Sequence, residues 1–294
     1  MSEEEEEILD RILSGGFICS IFSFCSCIIL FLIIICNKVL SSLTYNFLML
    51  VFISEIIGNI GNICEYQNRD GTLLCKNVSL LLIPFSDIFT MALFCFFSFC
   101  SIELIKKSNR KIKEKERLFF VISFVISFVY SIFIFYFCEE DNVRFYFYKN
   151  SKYNYIRFIH VVILFLMSSF ITYETFIVVK FMKEKQKKDK VNSWEIAKLV
   201  KVLTRFPTIC ILYWFFYALS LPLSAKNYKI VIMIKLISAI FLTLRGFLIA
   251  ANTIKTEKVR ILLTRFLEIN IKHNLILSLD LFSKKKKRLK NKKT

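Results

Sequence analysis

Histidine, proline and glycine are the scarce residues of this chain: 2 His, 3 Pro and 6 Gly in 294 residues. A membrane-embedded enzyme needs clustered His, Asp or Ser chemistry, and two histidines supply no such cluster. No Cys or His spacing fits a zinc site. No cofactor is expected. Scarce mid-membrane glycine and the absence of an internal repeat count against a transporter, whose helices are usually broken by Gly or Pro near the midplane. A transporter of a small polar solute stays as the alternative reading. The opening residues, MSEEEEE, lack the basic start of a cleavable signal peptide. The block that follows them is expected to be a retained signal-anchor helix.

What the chain has in abundance is apolar sequence. It is 56% hydrophobic, too much for a soluble domain of this length, and the apolar residues come in long blocks. About 20 apolar residues of helix cross a hydrocarbon core about 30 Å thick. Seven blocks qualify: 16–36, 43–63, 77–105, 118–137, 157–179, 206–223 and 230–252. The sixth is short and carries Pro207 and Pro222. The expected fold is an all-α integral membrane bundle of seven transmembrane helices. It is flanked by a short acidic segment (1–15), an amphipathic eighth helix (253–268) and a polybasic tail (269–294).

Charge sets the orientation. With the N-terminus outside, the outer segments hold 9 Lys and Arg and the inner segments 30. Basic residues are retained in the cytoplasm, so the N-terminus is expected outside and the C-terminus inside, in the plasma membrane. The net charge of +18 then reads as a cytoplasmic surface facing anionic inner-leaflet lipid. Nucleic acid is not an expected partner, because no soluble domain presents the charge. After the seventh span, Val259, Leu262, Leu263 and Phe266 repeat at helical spacing among Lys258, Arg260 and Arg265, the pattern of a helix lying on the inner leaflet.

Of 10 cysteines, Cys64, Cys75 and Cys138 fall at the outer face, where a disulfide persists. Cys75 with Cys138 is the favoured pairing, and Cys64 with Cys75 is the other. Charges inside the membrane are costly and should face partners or a wet cavity. Glu55 and Asn59 share one face of the second span, Asp87 lies in the third, Glu174 in the fifth, and Lys235 and Arg245 in the seventh. Counting 1.5 Å per residue from the block edges puts Lys235, Glu55 and Asp87 at roughly 8–15 Å depth, and Arg245 and Glu174 at roughly 24–26 Å. Those depths pair Lys235 with Asp87 or Glu55, and Arg245 with Glu174. Asp87, Lys235, Glu55 and Asn59, with Trp214 and Tyr217 on the sixth span, are the candidate ligand contacts. The alternative for the charges is helix register alone, and for the two aromatics core packing. His160 is expected to be solvated near the outer end of the fifth span. Ser123, Ser127 and Ser131 form a small-residue stripe suited to close helix packing.

On the inner side, the third span ends at Glu103, Lys106 and Lys107, and the next loop continues through Arg110. The sixth helix is expected to begin near Ser193, which brings Lys201 and Arg205 to the level of Glu103 as pairing partners in a resting state.

Seven spans, an outer N-terminus, Cys75 atop the third span, Cys138 in the second outer loop and an amphipathic eighth helix together resemble a G-protein-coupled receptor over roughly residues 16–268. Within that superfamily the chain is most similar to the cyclic-AMP-receptor-like and secretin-like groups. The carriers are Cys75 followed after 31 residues by KKSNRKIKEKER, and Arg245-Gly246-Phe247, where those groups have a Gly-Phe pair. Departures are plain. Ile102-Glu103-Leu104 stands where rhodopsin-like receptors have Asp-Arg-Tyr, the Asn-Pro-x-x-Tyr of the seventh helix is absent, and the fourth span lacks Gly and Trp. The resemblance implies an extracellular ligand bound among helices and outer loops. It also implies outward movement of the sixth helix to admit a heterotrimeric G protein. Glu103, Lys106, Lys107, Arg110, Lys201 and Arg205 would form that inner face.

Overall fold

A computed structural model describes residues 3–36, 43–67, 73–106, 110–138, 151–188, 237, 240–241, 243–255, 259–261 and 264. Within these, 3–13, 43–45, 98–106, 110–116, 138, 151–157 and 181–188 are described by backbone alone. All regular structure among the described residues is helical. In lipid every backbone N–H and C=O must be satisfied within the segment, and an uninterrupted apolar block does so as an α-helix. Five long helices result: α1 (Glu3–Cys36), α2 (Leu43–Gln67), α3 (Leu73–Lys106), α4 (Arg110–Cys138) and α5 (Ser151–Lys188). Each contains a stretch long and apolar enough to cross a membrane. A shorter helix, α6 (Arg245–Ile254), belongs to the predicted seventh span. The predicted sixth span lies outside the described residues, as does most of the predicted eighth helix. There, 259–261 and 264 are helical. The chain divides into two compact units, Met1–Ala250 and Ala251–Thr294.

The helices overrun the apolar blocks that announced them. α2 continues four residues past 63, α3 begins four residues before 77, and α5 begins six residues before 157. Polar residues at a membrane boundary do not stop a helix whose backbone bonds are already propagating.

α3 is the axis of the first unit. It packs against α2, α4 and α5, while α1 packs on α2. Its inward residues Leu80, Ile83, Met91 and Leu93 are buried almost completely. α2 and α3 run antiparallel in one register. Ser54 Oγ donates to the Ser86 carbonyl at 3.1 Å and Ser86 Oγ donates to the Ser54 carbonyl at 2.8 Å. Toward the Cys36 and Lys106 ends, Phe47 stacks on Phe97 with ring centroids 4.3 Å apart.

α4 shows why this assembly suits lipid. Its buried edge is Ser123, Ser127, Ser131 and Ile134, and its opposite face exposes large apolar side chains such as Val121, Val125, Phe128 and Phe133. A soluble helix places its apolar face inward. Here the small hydroxyls face the protein and the bulky hydrocarbons face out, as membrane packing favours. The serine stripe also has a chemical task. Pro84 sits inside α3 and offers no N–H, which weakens the hydrogen-bond ladder of the preceding turn. Ser131 Oγ donates to the Leu81 carbonyl in that turn.

Gly16, Gly58 and Gly246 allow the closest approaches, the first against the Tyr66 ring. A Cβ on Gly58 would collide with the Ser86 side chain, and a Cβ on Gly246 would come within 2.5 Å of Ser23 Oγ and 2.7 Å of Cys27 Sγ. Gly15 has nothing within 4 Å of the same position. We therefore expect Gly58→Ala and Gly246→Ala each to destabilise by about 1–3 kcal/mol through overpacking. That exceeds the gain of about 1 kcal/mol from helix propensity. Gly15→Ala should gain only the propensity term. Thermal unfolding in detergent reads the difference as a lowered Tm for the first two and an unchanged or raised Tm for the third.

Candidate functional site

Among the described residues, Glu55, Ser86 and Asp87 converge on one side chain, Arg245, which is 5% exposed at the start of α6. Its Nε lies 2.8 Å from Glu55 Oε1 on α2 and 3.0 Å from Glu55 Oε2. Its Nη1 donates to Asp87 Oδ1 on α3 at 2.5 Å. Its Nη2 donates to Ser86 Oγ at 3.2 Å. The planar guanidinium supplies donors in a fixed fork, so one cation can address two carboxylates on two helices at once. Both carboxylates are as buried as the arginine, at 2% for Glu55 and 3% for Asp87.

The acids have further partners. Thr90 Oγ1 lies 3.0 Å from Glu55 Oε1 and 2.8 Å from Ser54 Oγ. Asp87 Oδ2 lies 3.4 Å from His160 Nε2 on α5, and His160 Nδ1 lies 2.8 Å from the Tyr130 hydroxyl on α4. Tyr130 donating to Nδ1, with Nε2–H donating to Asp87, satisfies all three groups. A continuous chain of polar contacts therefore runs from Glu55 through Arg245, Asp87 and His160 to Tyr130, linking α2, α6, α3, α5 and α4.

α1 joins through a second strand of the network. Asn59 Nδ2 donates to the Glu55 carbonyl at 2.7 Å and to Ser23 Oγ at 3.2 Å. Ser23 Oγ in turn accepts from the Phe247 backbone N–H at 3.2 Å. The Phe247 ring meets Phe22 at a centroid separation of 4.8 Å. Arg245, Gly246 and Phe247 thus carry three separate contacts: the ion pairs, the close approach to Ser23 and Cys27, and the ring contact.

Of the candidate ligand contacts, Glu55, Asn59 and Asp87 are brought together. Lys235, Trp214 and Tyr217 lie outside the described residues, so the expected Lys235 pairing does too. Arg245 pairs with Glu55 and Asp87, a correction to the expected pairing with Glu174. The cause is the overrun of the helices. Counted from Gln67 and Leu73, Glu55 and Asp87 lie about 18 and 21 Å along their helices, close to the level expected for Arg245. His160 corrects in the same way. It is 1% exposed and bonded, not solvated, because α5 starts at Ser151 and carries it about 14 Å inward. Its partner Tyr130 went unnoticed in the sequence, as did Thr90, the partner of Glu55. The signal available was one histidine and one aspartate at matching depth.

Cys75 has a free thiol. Cys138 ends α4, and its side chain lies outside the description. Glu103 and Lys106 on α3 and Arg110 on α4 are described by backbone alone, while Lys107, Lys201 and Arg205 lie outside the described residues. Among the described residues, no group of three or more His, Cys, Asp or Glu could hold a metal.

No family model matches this sequence, and no curated protein matches it. Among solved structures, the chain is similar to squid rhodopsin, with a TM-score of 0.61 at 13% identity, covering 89% of this chain and 85% of that one. The likeness is one of fold, and it spans nearly the whole helical bundle.

Removing Arg245 leaves two buried carboxylates without their cation. Breaking a buried ion pair by removing one partner costs about 3–5 kcal/mol. We expect Arg245→Ala to fold in low yield, and Arg245→Lys to recover only part, because an ammonium lacks the fork geometry. The triple variant Glu55→Gln, Asp87→Asn, Arg245→Met should recover most of the Tm. Size-exclusion profiles and thermal unfolding of the three variants check this.

Proposed function

We propose that the chain is a seven-transmembrane receptor of the G-protein-coupled type, with its N-terminus outside and its C-terminus in the cytoplasm. In this reading it binds an extracellular ligand in the outer half of the bundle and signals through a heterotrimeric G protein at the plasma membrane. The observation that carries it is the buried Arg245 network inside a rhodopsin-like fold. A single cation tying helices from both halves of the chain would serve as the two-state element a receptor needs, with ligand contact at one end changing which helices the arginine holds. Glu55, Asn59 and Asp87 form its floor, and Lys235, Trp214 and Tyr217 are assigned to the ligand side.

The inner face is assigned to Glu103, Lys106, Lys107, Arg110, Lys201 and Arg205, with the eighth helix and polybasic tail on anionic lipid. The reading as a cyclic-AMP-receptor-like or secretin-like receptor rests on the Arg245-Gly246-Phe247 sequence. The ion pairs and hydrogen bonds to the acids favour a polar ligand that competes with Arg245 for them.

The test is nucleotide exchange on a panel of heterotrimeric G proteins by the full chain in nanodiscs containing anionic lipid. At least one G protein should exchange above the empty-nanodisc baseline, and Arg205→Ala should reduce that rate several-fold. Asp87→Asn, by loosening one arm of the network, should change the basal rate while leaving the inner face intact. A folded protein that engages no G-protein class would overturn the receptor reading, and vesicle flux assays would then test transport.

A further inference from the structure

Two thiols outside the Arg245 network are placed for a reaction. Cys64 lies in the last turn of α2 and Cys75 in the first turn of α3, the two ends joined by residues 68–72. Both are partly exposed, unlike Cys27, which is fully buried. The antiparallel register of Ser54 with Ser86 and of Gly61 with Ile83 brings these ends together. Both cysteines carry free thiols in this structure.

We propose that Cys64 and Cys75 form a disulfide that staples α2 to α3, the two helices presenting the carboxylates to Arg245. The bond forms by exchange with a disulfide donor of the oxidising compartment, as in any thiol–disulfide exchange. One cysteine thiolate attacks the donor disulfide and releases one donor thiol. The second thiolate then attacks the mixed disulfide, releases the other donor thiol and closes the Cys64–Cys75 bond. Two protein thiols are oxidised and one donor disulfide is reduced to two thiols. This pairing uses Cys75, so it excludes the bridge to Cys138. It rests on the outward placement of these helix ends in the proposed receptor topology.

The sequence supplies a clean assay. Arg69 lies between the two cysteines and Lys76 follows the second, so trypsin separates their peptides unless a disulfide holds them. Free thiols of the full chain are blocked in intact cells with a membrane-impermeant maleimide. A permeant maleimide is then added, and the purified protein is digested without reductant for mass spectrometry. The expected product is the 39–69 and 70–76 peptides joined through Cys64 and Cys75, with neither cysteine blocked, separating on reduction. Cys138→Ser should leave that product unchanged, and Cys64→Ser should leave Cys75 open to the impermeant reagent. Cys75 joined to the peptide of Cys138 would overturn the proposal. So would both cysteines carrying maleimide. If the impermeant reagent reaches them, the topology stands and only the staple falls. If only the permeant reagent does, the outward placement falls with it.

Discussion

Among the described residues, the guanidinium of Arg245 is the group that ties the helices of the bundle together. Two carboxylates buried in lipid-facing helices have no water to solvate them, and each costs several kcal/mol unless a cation is within reach. One arginine meets both because its donors point in different directions from a single plane. That geometry fixes the distance between α2 and α3 at the level of Glu55 and Asp87. It also fixes the rotation of α6, since a turn of that helix would remove the donors from one acid or the other. Gly58 and Gly246 serve the same constraint, because side chains there would hold the helices too far apart for the fork to close.

The rest of the polar core follows from the same economy. Lipid gives no hydrophobic drive between helices, so association rests on close packing and hydrogen bonds. Ser54 and Ser86 exchange hydroxyl-to-carbonyl bonds across the α2–α3 contact, Ser131 donates to the turn weakened by Pro84, and Asn59 ties α2 to α1. Each uses a small side chain that costs little rotamer entropy and lets the backbones approach. The large apolar residues exposed on the outward faces of α1, α4 and α5 contribute to solubility in the bilayer more than to the fold.

Much of this was legible in the sequence, and the errors have a common origin. Apolar blocks marked the five long helices because hydrocarbon demands them. Glu55, Asn59 and Asp87 stood out because polar groups in such blocks need a reason. Depth was not legible, because a change from apolar to polar composition marks the edge of the bilayer and not the end of the helix. Four residues of overrun in α2 and in α3 moved Glu55 and Asp87 by about 6 Å each. That was enough to assign Arg245 the wrong acid, and the six-residue overrun of α5 took His160 about 9 Å further from the water. The hydroxyl partners Thr90, Ser86 and Ser23 were invisible for another reason. Serine and threonine are ordinary in membrane helices, and only the packing shows which of them face an ion.

The chain distance between the ionic partners has a consequence for biosynthesis. Arg245 follows Asp87 by 158 residues and Glu55 by 190. At about 5–20 residues per second, the ribosome takes roughly 10–40 s to reach the arginine after the acids have been made. Over that interval α2 and α3 must be held by other means. Thr90 arrives 35 residues after Glu55, and His160 arrives 73 residues after Asp87. The hydroxyl and the imidazole are thus present well before the cation. In the finished bundle they are auxiliary bonds; on the growing chain they are the first partners these acids meet, and they make the order of synthesis compatible with a core that closes last.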